Sequence, residues 1–496
     1  MNLLMASALS GIDVGVFAAC VLGITLFGCS FAFRKDSDAE AFTTGKGALP
    51  GWTVAFSIFA TFVSSISFLG YPAKAFASNW NVWLIGLTVP VSSFAAAAFF
   101  VPLYRRIGSP SCYAYLETRF GPWARAYASA CYLLTQMART GAILFLLALP
   151  LSAMTGLPVA WIVVAAALLT LLFAVSGGIR AVVWTDAIQG ILMLVGIVAV
   201  IVILFFSVPE RCLEMCRFAV RNGKCSLGSL TLADWSVETF WVTFLFGTFV
   251  HLQDYGVDQN FVQRYLLAKT DREAVRSMLA GSLLYVPVSF AFMVIGAGLF
   301  AYYGIGIGDL PPEIAATPDK VFPHFITTAL PVGLRGLLVA TVFAAGVSTV
   351  STSLNSGATA MVEDFIKKLV RGLSPKAELR LLRLGTLVIA LVGLGVALLM
   401  MNARSAMDAW LALQSIFSGG MLGLFLLGVC VPRARNAEAI VGCALGIAVI
   451  AEIVLLRRVW PLPAVLHVNL SIVFGTLVIF LSGFLLSLLK RRSSRA

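Results

Sequence analysis

Long apolar stretches recur along the chain from Val14 to Leu489, separated by short polar connections. A helix of about 20 apolar residues crosses the ~30 Å hydrocarbon core of a bilayer. No backbone polar group can stay unpaired there, so each stretch predicts a spanning helix. The first covers about 14–33; the others fall near 50–76, 82–104, 123–154, 158–176, 183–207, 237–262, 275–303, 321–362, 382–402, 406–431, 437–456 and 464–488. These thirteen windows, at ~20 to 25 residues per span, use up most of the chain. The pattern predicts an all-α polytopic membrane protein, one transmembrane domain over residues 1–496, embedded in a lipid bilayer.

Composition removes the alternatives. Of 496 residues, 60% are hydrophobic and 12% charged, against roughly 25% charged in a soluble domain, so a water-soluble fold is excluded. The net charge of +12 does not indicate nucleic acid as a partner, because the basic residues lie at helix ends, where they orient a membrane protein. The predicted inner connections hold Arg34-Lys35, Arg105-Arg106, Arg180, Arg264 with Lys269 and Arg272, Lys367-Lys368 with Arg371 and Lys376, Arg433 with Arg435, and Lys490 to Arg492. Outer connections hold Arg211, Arg217, Arg221, Lys224 and Arg457-Arg458. The N-terminus is therefore placed outside and the C-terminus inside. The first run has no basic residues before it and no small-residue cleavage site, which reads as a retained helix rather than a signal peptide.

Of nine cysteines, only Cys212, Cys216 and Cys225 cluster in a polar loop, where two could pair in an oxidising compartment. No GxxxxGK[ST] or HExxH pattern occurs, and the chain has three histidines. An ATP-driven pump would need another chain, and a metalloenzyme has little to work with. With no nucleophile–base pair in view, the chain reads as a non-enzyme, and no obligatory protein partner is inferred.

The informative residues are polar ones inside spans, because lipid penalises them unless they pair or work. The second span carries Thr61, Ser64, Ser65 and Ser67 within seven positions, followed by Gly70 and Pro72. Proline interrupts a helix and frees carbonyl oxygens. Carbonyls beside hydroxyls suit a small hard cation; a kinked packing helix is the other reading. In the ninth span Ser348, Ser351 and Thr352 share one helical face, with Thr349 beside them, and six hydroxyl residues fall within nine positions. Such density exceeds what packing calls for. Arg139, inside the fourth span, presents a planar fork that matches a carboxylate, either of a substrate or of one of the acids deep in spans, Asp254, Asp258, Asp408 and Glu452. Asp186 opens the sixth span, as an interfacial acid at a helix N-terminus or as a buried carboxylate facing the ninth span.

These residues resemble a known family, the sodium/solute symporters. The likeness rests on Gly177-Gly178 through Trp184-Thr185-Asp186 with Gln189-Gly190, on Asp258 to Tyr265, and on the ninth span ending Ser353-Leu354-Asn355-Ser356. It implies a leucine-transporter-type fold of two five-helix inverted repeats, about 50–207 and 237–431, with one extra helix before and two after. The second, seventh and ninth spans become core helices 1, 6 and 8, and core helix 6 is expected to break around Gly247 to Gly256. The family's shared sodium site would fall on carbonyls of Ala60, Val63 and Ala345 with the hydroxyls of Ser348 and Thr349. A second sodium site would fall on Asp186, Ser348, Ser351 and Thr352, giving two Na+ ions in all.

Within the family the chain is most similar to bacterial sialic-acid symporters, through Ser64-Ser65-Ile66-Ser67-Phe68, Pro72-Ala73-Lys74-Ala75, Tyr115-Leu116-Glu117 with Arg119-Phe120, and Arg139. The resemblance implies a bacterial cytoplasmic membrane and import of a small, anionic solute by alternating access. That solute would be a carboxylate-bearing sugar such as sialic acid, held by Arg139 in a pocket lined by Phe62, Ser64, Ser67, Gln136, His251 and Gln253. The alternatives are a neutral sugar or short monocarboxylate, or a cation channel or sensor. Two positions depart from the subgroup: Phe62 stands where a threonine is expected and Gly86 where a glutamine is.

Overall fold

The computed structural model describes residues 10–493 except 34–37, 48, 207, 371, 402–405 and 455–465. The orientation charges Arg34, Lys35, Arg371, Arg457 and Arg458 therefore lie outside the described residues, and the side chains of Asp408, Lys490, Arg491 and Arg492 are not described. The long elements are α1 (Gly11–Ser30), α2 (Gly51–Phe62), α3 (Ser65–Ala77), α4 (Trp83–Ile107), α5 (Pro122–Thr155), α6 (Val159–Phe206), α7 (Phe240–Val257), α8 (Gln259–Tyr265), α9 (Asp271–Gly304), α10 (Leu334–Met361), α11 (Pro375–Met400), α12 (Ala406–Cys430), α13 (Asn436–Val454) and α14 (Ser471–Ser493).

Burial sorts these helices. In the stretch containing α10, 94% of the apolar window is enclosed by protein, against 22% for α1, 39% for α11 and 33% for both α13 and α14. The central rod is thus the hydroxyl-rich ninth span, and the outer helices turn apolar side chains such as Leu22, Leu391 and Leu485 outward, as a lipid-facing surface requires.

Helix α6 runs for 48 residues. At 1.5 Å per residue that is about 72 Å, more than twice a bilayer core, so it must hold both predicted spans. They meet at Gly178, whose φ of 54° and ψ of −148° leave the helical region. A Cβ there would meet Phe42 at 2.6 Å, so the turn needs glycine for both conformation and space.

Two windows need correction. The window 321–362 begins with a separate short helix, Val321–Ala329, and α10 starts only at Leu334, after Pro331 and Gly333 (φ 87°) end the first piece. Helix α11 starts at Pro375, seven residues before its predicted 382, because Ser374 caps it by accepting from the Ala377 amide at 3.3 Å.

The ends of the central helix are held by polar contacts. Asp13, fully buried in the first turn of α1, accepts from the amides of Gly333 (2.7 Å) and Gly336 (3.1 Å) at the start of α10. A carboxylate there satisfies donors that a helix start leaves open. At the opposite end of α10, Arg125 bonds Asp364 (2.7 Å) and Glu117 (2.6 Å), and Lys368 bonds Glu117 at 2.7 Å. The Lys368 hydrogen bond holds the Glu117 carboxyl below the usual carboxylate range.

In the cysteine loop, a helix spans Cys212–Arg221, and Cys212, Cys216 and Cys225 are free thiols. The following Lys224 lies 4.1 Å over the Phe300 ring and donates to the Phe76 carbonyl at 2.6 Å.

Gly178→Ala is expected to cost at least ~1 kcal/mol, from the left-handed backbone and the contact with Phe42. Thermal unfolding of the purified protein reads this directly; an unchanged midpoint would show that the turn tolerates a Cβ.

Candidate functional site

The chemistry gathers where two helices break. Between α2 and α3, Val63 (φ −79°, ψ 104°) and Ser64 (φ −105°, ψ 174°) are extended, and the axis bends by 54°. The interruption lies well before Pro72, which sits inside the continuous helix α3. Proline removes one helical bond, which a helix can survive, whereas the Ser64-Ser65 step offers hydroxyls that compete for backbone groups. The second break, between α7 and α8, falls at Asp258, two residues past the expected Gly247 to Gly256 stretch. There the carboxylate caps α8 by accepting from the Asn260 amide at 2.7 Å.

At the first break α10 packs its hydroxyl face against α2. Ser348 Oγ lies 3.0 Å from the Ala60 carbonyl and 3.1 Å from the Ala345 carbonyl, and Thr349 Oγ1 lies 3.3 Å from the latter. Four of the five residues anticipated for the first sodium site thus share one buried cluster of neutral oxygens. Val63 completes the set on the sequence side, its extended dihedrals taking its carbonyl out of the helical ladder of α2. In this arrangement the hydroxyls donate to the carbonyls; a hard cation would be held by the carbonyl oxygens and by hydroxyl lone pairs, the hydroxyls keeping their protons and turning them away.

Asp186 is fully buried, which sets aside the interfacial reading. Its neighbours differ from those anticipated. Ser57 of α2 donates to Oδ2 at 2.7 Å, and Arg264 of α8 donates to the same oxygen through Nη2 at 2.8 Å. Arg264 also donates to Thr352 Oγ1 (2.6 Å), to Ser57 Oγ (2.7 Å) and to the Asn260 carbonyl. Asp186 and Thr352 are therefore joined through the guanidinium. Ser351 instead bonds the Ser348 carbonyl of its own helix at 3.0 Å, and Ser348 turns to α2. Arg264, counted from the sequence as a flanking inner charge, belongs to the buried site. The signal was in the stretch Gln259 to Tyr265, whose Gln, Asn, Gln and Arg all face protein.

The anticipated substrate residues surround the same breaks. Phe62, the last residue of α2, is ringed by Tyr285 (4.3 Å between centroids), His251 (5.0 Å), Tyr255 (5.7 Å) and Phe261 (6.1 Å). His251 Nδ1 meets Thr88 Oγ1 at 3.1 Å. Gln136 is locked in a chain: its Oε1 accepts from Ser353 (2.7 Å) and from Asn260 (3.0 Å), and Asn260 Oδ1 accepts from the Tyr132 hydroxyl at 2.9 Å. Gln253 is buried with no bond to its Oε1. Ser64 serves as the N-cap of α3 without a side-chain capping bond, and Ser67 lies half-buried one turn on. Half-buried Arg139 forms no salt bridge among the described residues, although its charge acts on Asp254 and Asp258. A Cβ at Gly86 would lie 2.3 Å from Ser289 Oγ, so a side chain there requires that hydroxyl to turn away.

A broken pair of helices around a central hydroxyl-rich rod, with buried oxygens facing the break, defines an ion-coupled secondary transporter of the leucine-transporter type. The sequence model of the Sodium:solute symporter family matches residues 42–446, and the chain belongs to that family. It is 32% identical over 465 residues to the sodium/sialic acid symporter NanT of Aliivibrio fischeri, covering 93% of this chain and 90% of that protein. Against the sodium/sialic acid symporter SiaT of Proteus mirabilis it is 30% identical over 442 residues, covering 88% of each. A solved structure of a Na+-coupled sialic acid symporter in a substrate-bound outward-open state superposes with a TM-score of 0.89 at 28% identity, over 97% of this chain and 98% of that one. The protein is thus a multi-pass sodium-coupled symporter of a small solute, not an enzyme.

Replacing Asn260 by Leu leaves Tyr132 without its acceptor and Gln136 without one donor. A loss of ~1 to 3 kcal/mol is expected from the stranded polar groups, seen as a lower unfolding midpoint; no change would mean the chain of amides does not hold α8 to α5.

Proposed function

We propose that the protein imports a carboxylate-bearing solute with two sodium ions, using residues about 50–207 and 237–431 as inverted repeats in a bacterial cytoplasmic membrane, N-terminus outside and C-terminus inside. The observation that carries the reading is the oxygen cluster joining α2 to α10, with Ser348 Oγ at 3.0 Å from the Ala60 carbonyl. The first sodium takes Ala60, Val63, Ala345, Ser348 and Thr349. It bridges the broken helix to the central rod and favours the form open to the outside, since an ion biases a conformational equilibrium only through unequal affinity for its two states. The second takes Asp186, Ser348, Ser351 and Thr352.

Arg139 holds the carboxylate; among the described residues no acidic side chain forms a salt bridge with it. Phe62, Ser64, Ser67, Gln136, His251 and Gln253 line the remainder. Sialic acid is the first substrate to test, on the strength of the relatives. A short monocarboxylate is the second: Phe62 with its four ring neighbours, and Ser289 closing on Gly86, leave less room than the threonine and glutamine of the sialic-acid subgroup.

Charge arithmetic favours two ions. One sodium entering with a monoanion moves no net charge, so a tenfold sodium gradient gives about 1.4 kcal/mol, or roughly tenfold accumulation. A second ion adds the same 1.4 kcal/mol and about 2.3 kcal/mol from ~100 mV, a further several-hundred-fold.

Three outcomes follow in proteoliposomes. Uptake is expected to depend on sodium with a Hill slope approaching two and to carry inward current; a slope of one without current would restrict coupling to one ion. Arg139→Ala should lose at least tenfold in uptake while sodium still stabilises the protein, whereas undiminished uptake would remove Arg139 from the site. Ser348→Ala should raise the sodium concentration for half-maximal uptake by ~10-fold or more, equivalent to ~1.4 kcal/mol; an unchanged requirement would move the first ion elsewhere.

A further inference from the structure

The Arg264–Asp186 pair raises a question that the two-ion reading leaves open. Both side chains are fully buried, and the guanidinium is bound by four helices: Ser57 on α2, Asp186 on α6, Asn260 on its own α8 and Thr352 on α10. Two of the residues assigned to the second sodium, Asp186 and Thr352, are therefore engaged by a cation belonging to the protein. The other carboxylate oxygen, Oδ1, has no hydrogen-bond partner although it is buried, so the carboxylate has coordinating capacity left over.

A symporter that has released its cargo must return empty. During that return Asp186 stays in a low-dielectric interior, where an unpaired carboxylate is costly and a paired one is tolerated. A tethered guanidinium solves this without an ion from solution, and its planar fork can hold the carboxylate and a hydroxyl at once. Occupied by sodium, the same carboxylate needs no second cation, and two positive charges sharing it would repel one another.

We propose that Arg264 is a built-in counter-cation that takes Asp186 and Thr352 whenever the second sodium is absent, and that sodium entering there displaces it. The exchange reaches the broken helix, because Arg264 and Asp186 are also the two groups that hold the Ser57 hydroxyl, one turn before Ala60 on α2. Displacing the guanidinium removes one of the two ties on the Ser57 hydroxyl, on the half-span α2 that precedes the break; loss of sodium restores it. This rests on the two-sodium reading, and the test separates the two.

The measurement is the sodium dependence of thermal unfolding of the purified full-length protein, with choline replacing sodium at constant ionic strength. Arg264→Gln is expected to unfold early in choline, recover in sodium, and show a midpoint sodium concentration at least tenfold below wild type. Arg264→Lys, a single-headed competitor that cannot hold Ser57 and Thr352 together, should lower that midpoint about threefold, and it carries the test if the glutamine variant does not fold. The doubly neutral Asp186→Asn, Arg264→Gln protein should fold and show a Hill slope of one. A midpoint unchanged in Arg264→Lys, with the double variant still reduced to one ion, overturns the competition and leaves two-ion binding standing. A double variant that binds sodium as wild type does removes Asp186 from ion binding and overturns both.

Discussion

A helix can be broken inside lipid only where something else satisfies the backbone it exposes. That constraint organises this molecule. Val63 and Ser64 leave the helical region in mid-span, and the neighbouring α10 supplies what lipid cannot, through the Ser348 hydroxyl on the Ala60 carbonyl. The price is a central rod that must be polar along one face and almost wholly enclosed. Enclosure in turn demands the surrounding cage of apolar helices. Transport chemistry and architecture are two aspects of the same requirement, since the oxygens that make the break tolerable are also those that suit an alkali cation.

Much of this was legible beforehand because lipid makes the pattern simple. Span length, the clustering of hydroxyls at 61–67 and 348–356, and the position of Arg139 inside an apolar stretch are all one-dimensional signals. Boundaries were less so. Val321–Ala329 is apolar enough to read as the first turns of α10, and Pro72 is the residue in that span that reads as a helix-breaker. In the folded chain, the hydroxyl-rich step upstream breaks the helix and the proline does not.

Partner identity was the least legible. Asp186 could be named as a buried candidate, yet its partner Arg264 looked like an ordinary flanking charge, since sequence position places it just past an apolar window. Only the second break, at Asp258, turns α8 inward and carries Arg264 with it. Charge counting assumes that residues beyond an apolar window reach water, and an interrupted span violates that assumption. The same holds for Gly86, where a missing side chain says nothing until Ser289 is found occupying its space.

The first helix has the lowest enclosure among the windows compared and would pass for an accessory added to a self-sufficient core. Asp13 shows otherwise. Its carboxylate caps the central rod from outside the repeats, receiving the amides of Gly333 and Gly336. The outermost segment of the bundle therefore seals the head of its innermost one, so trimming the protein to a minimal ten-helix engine would leave those amides bare.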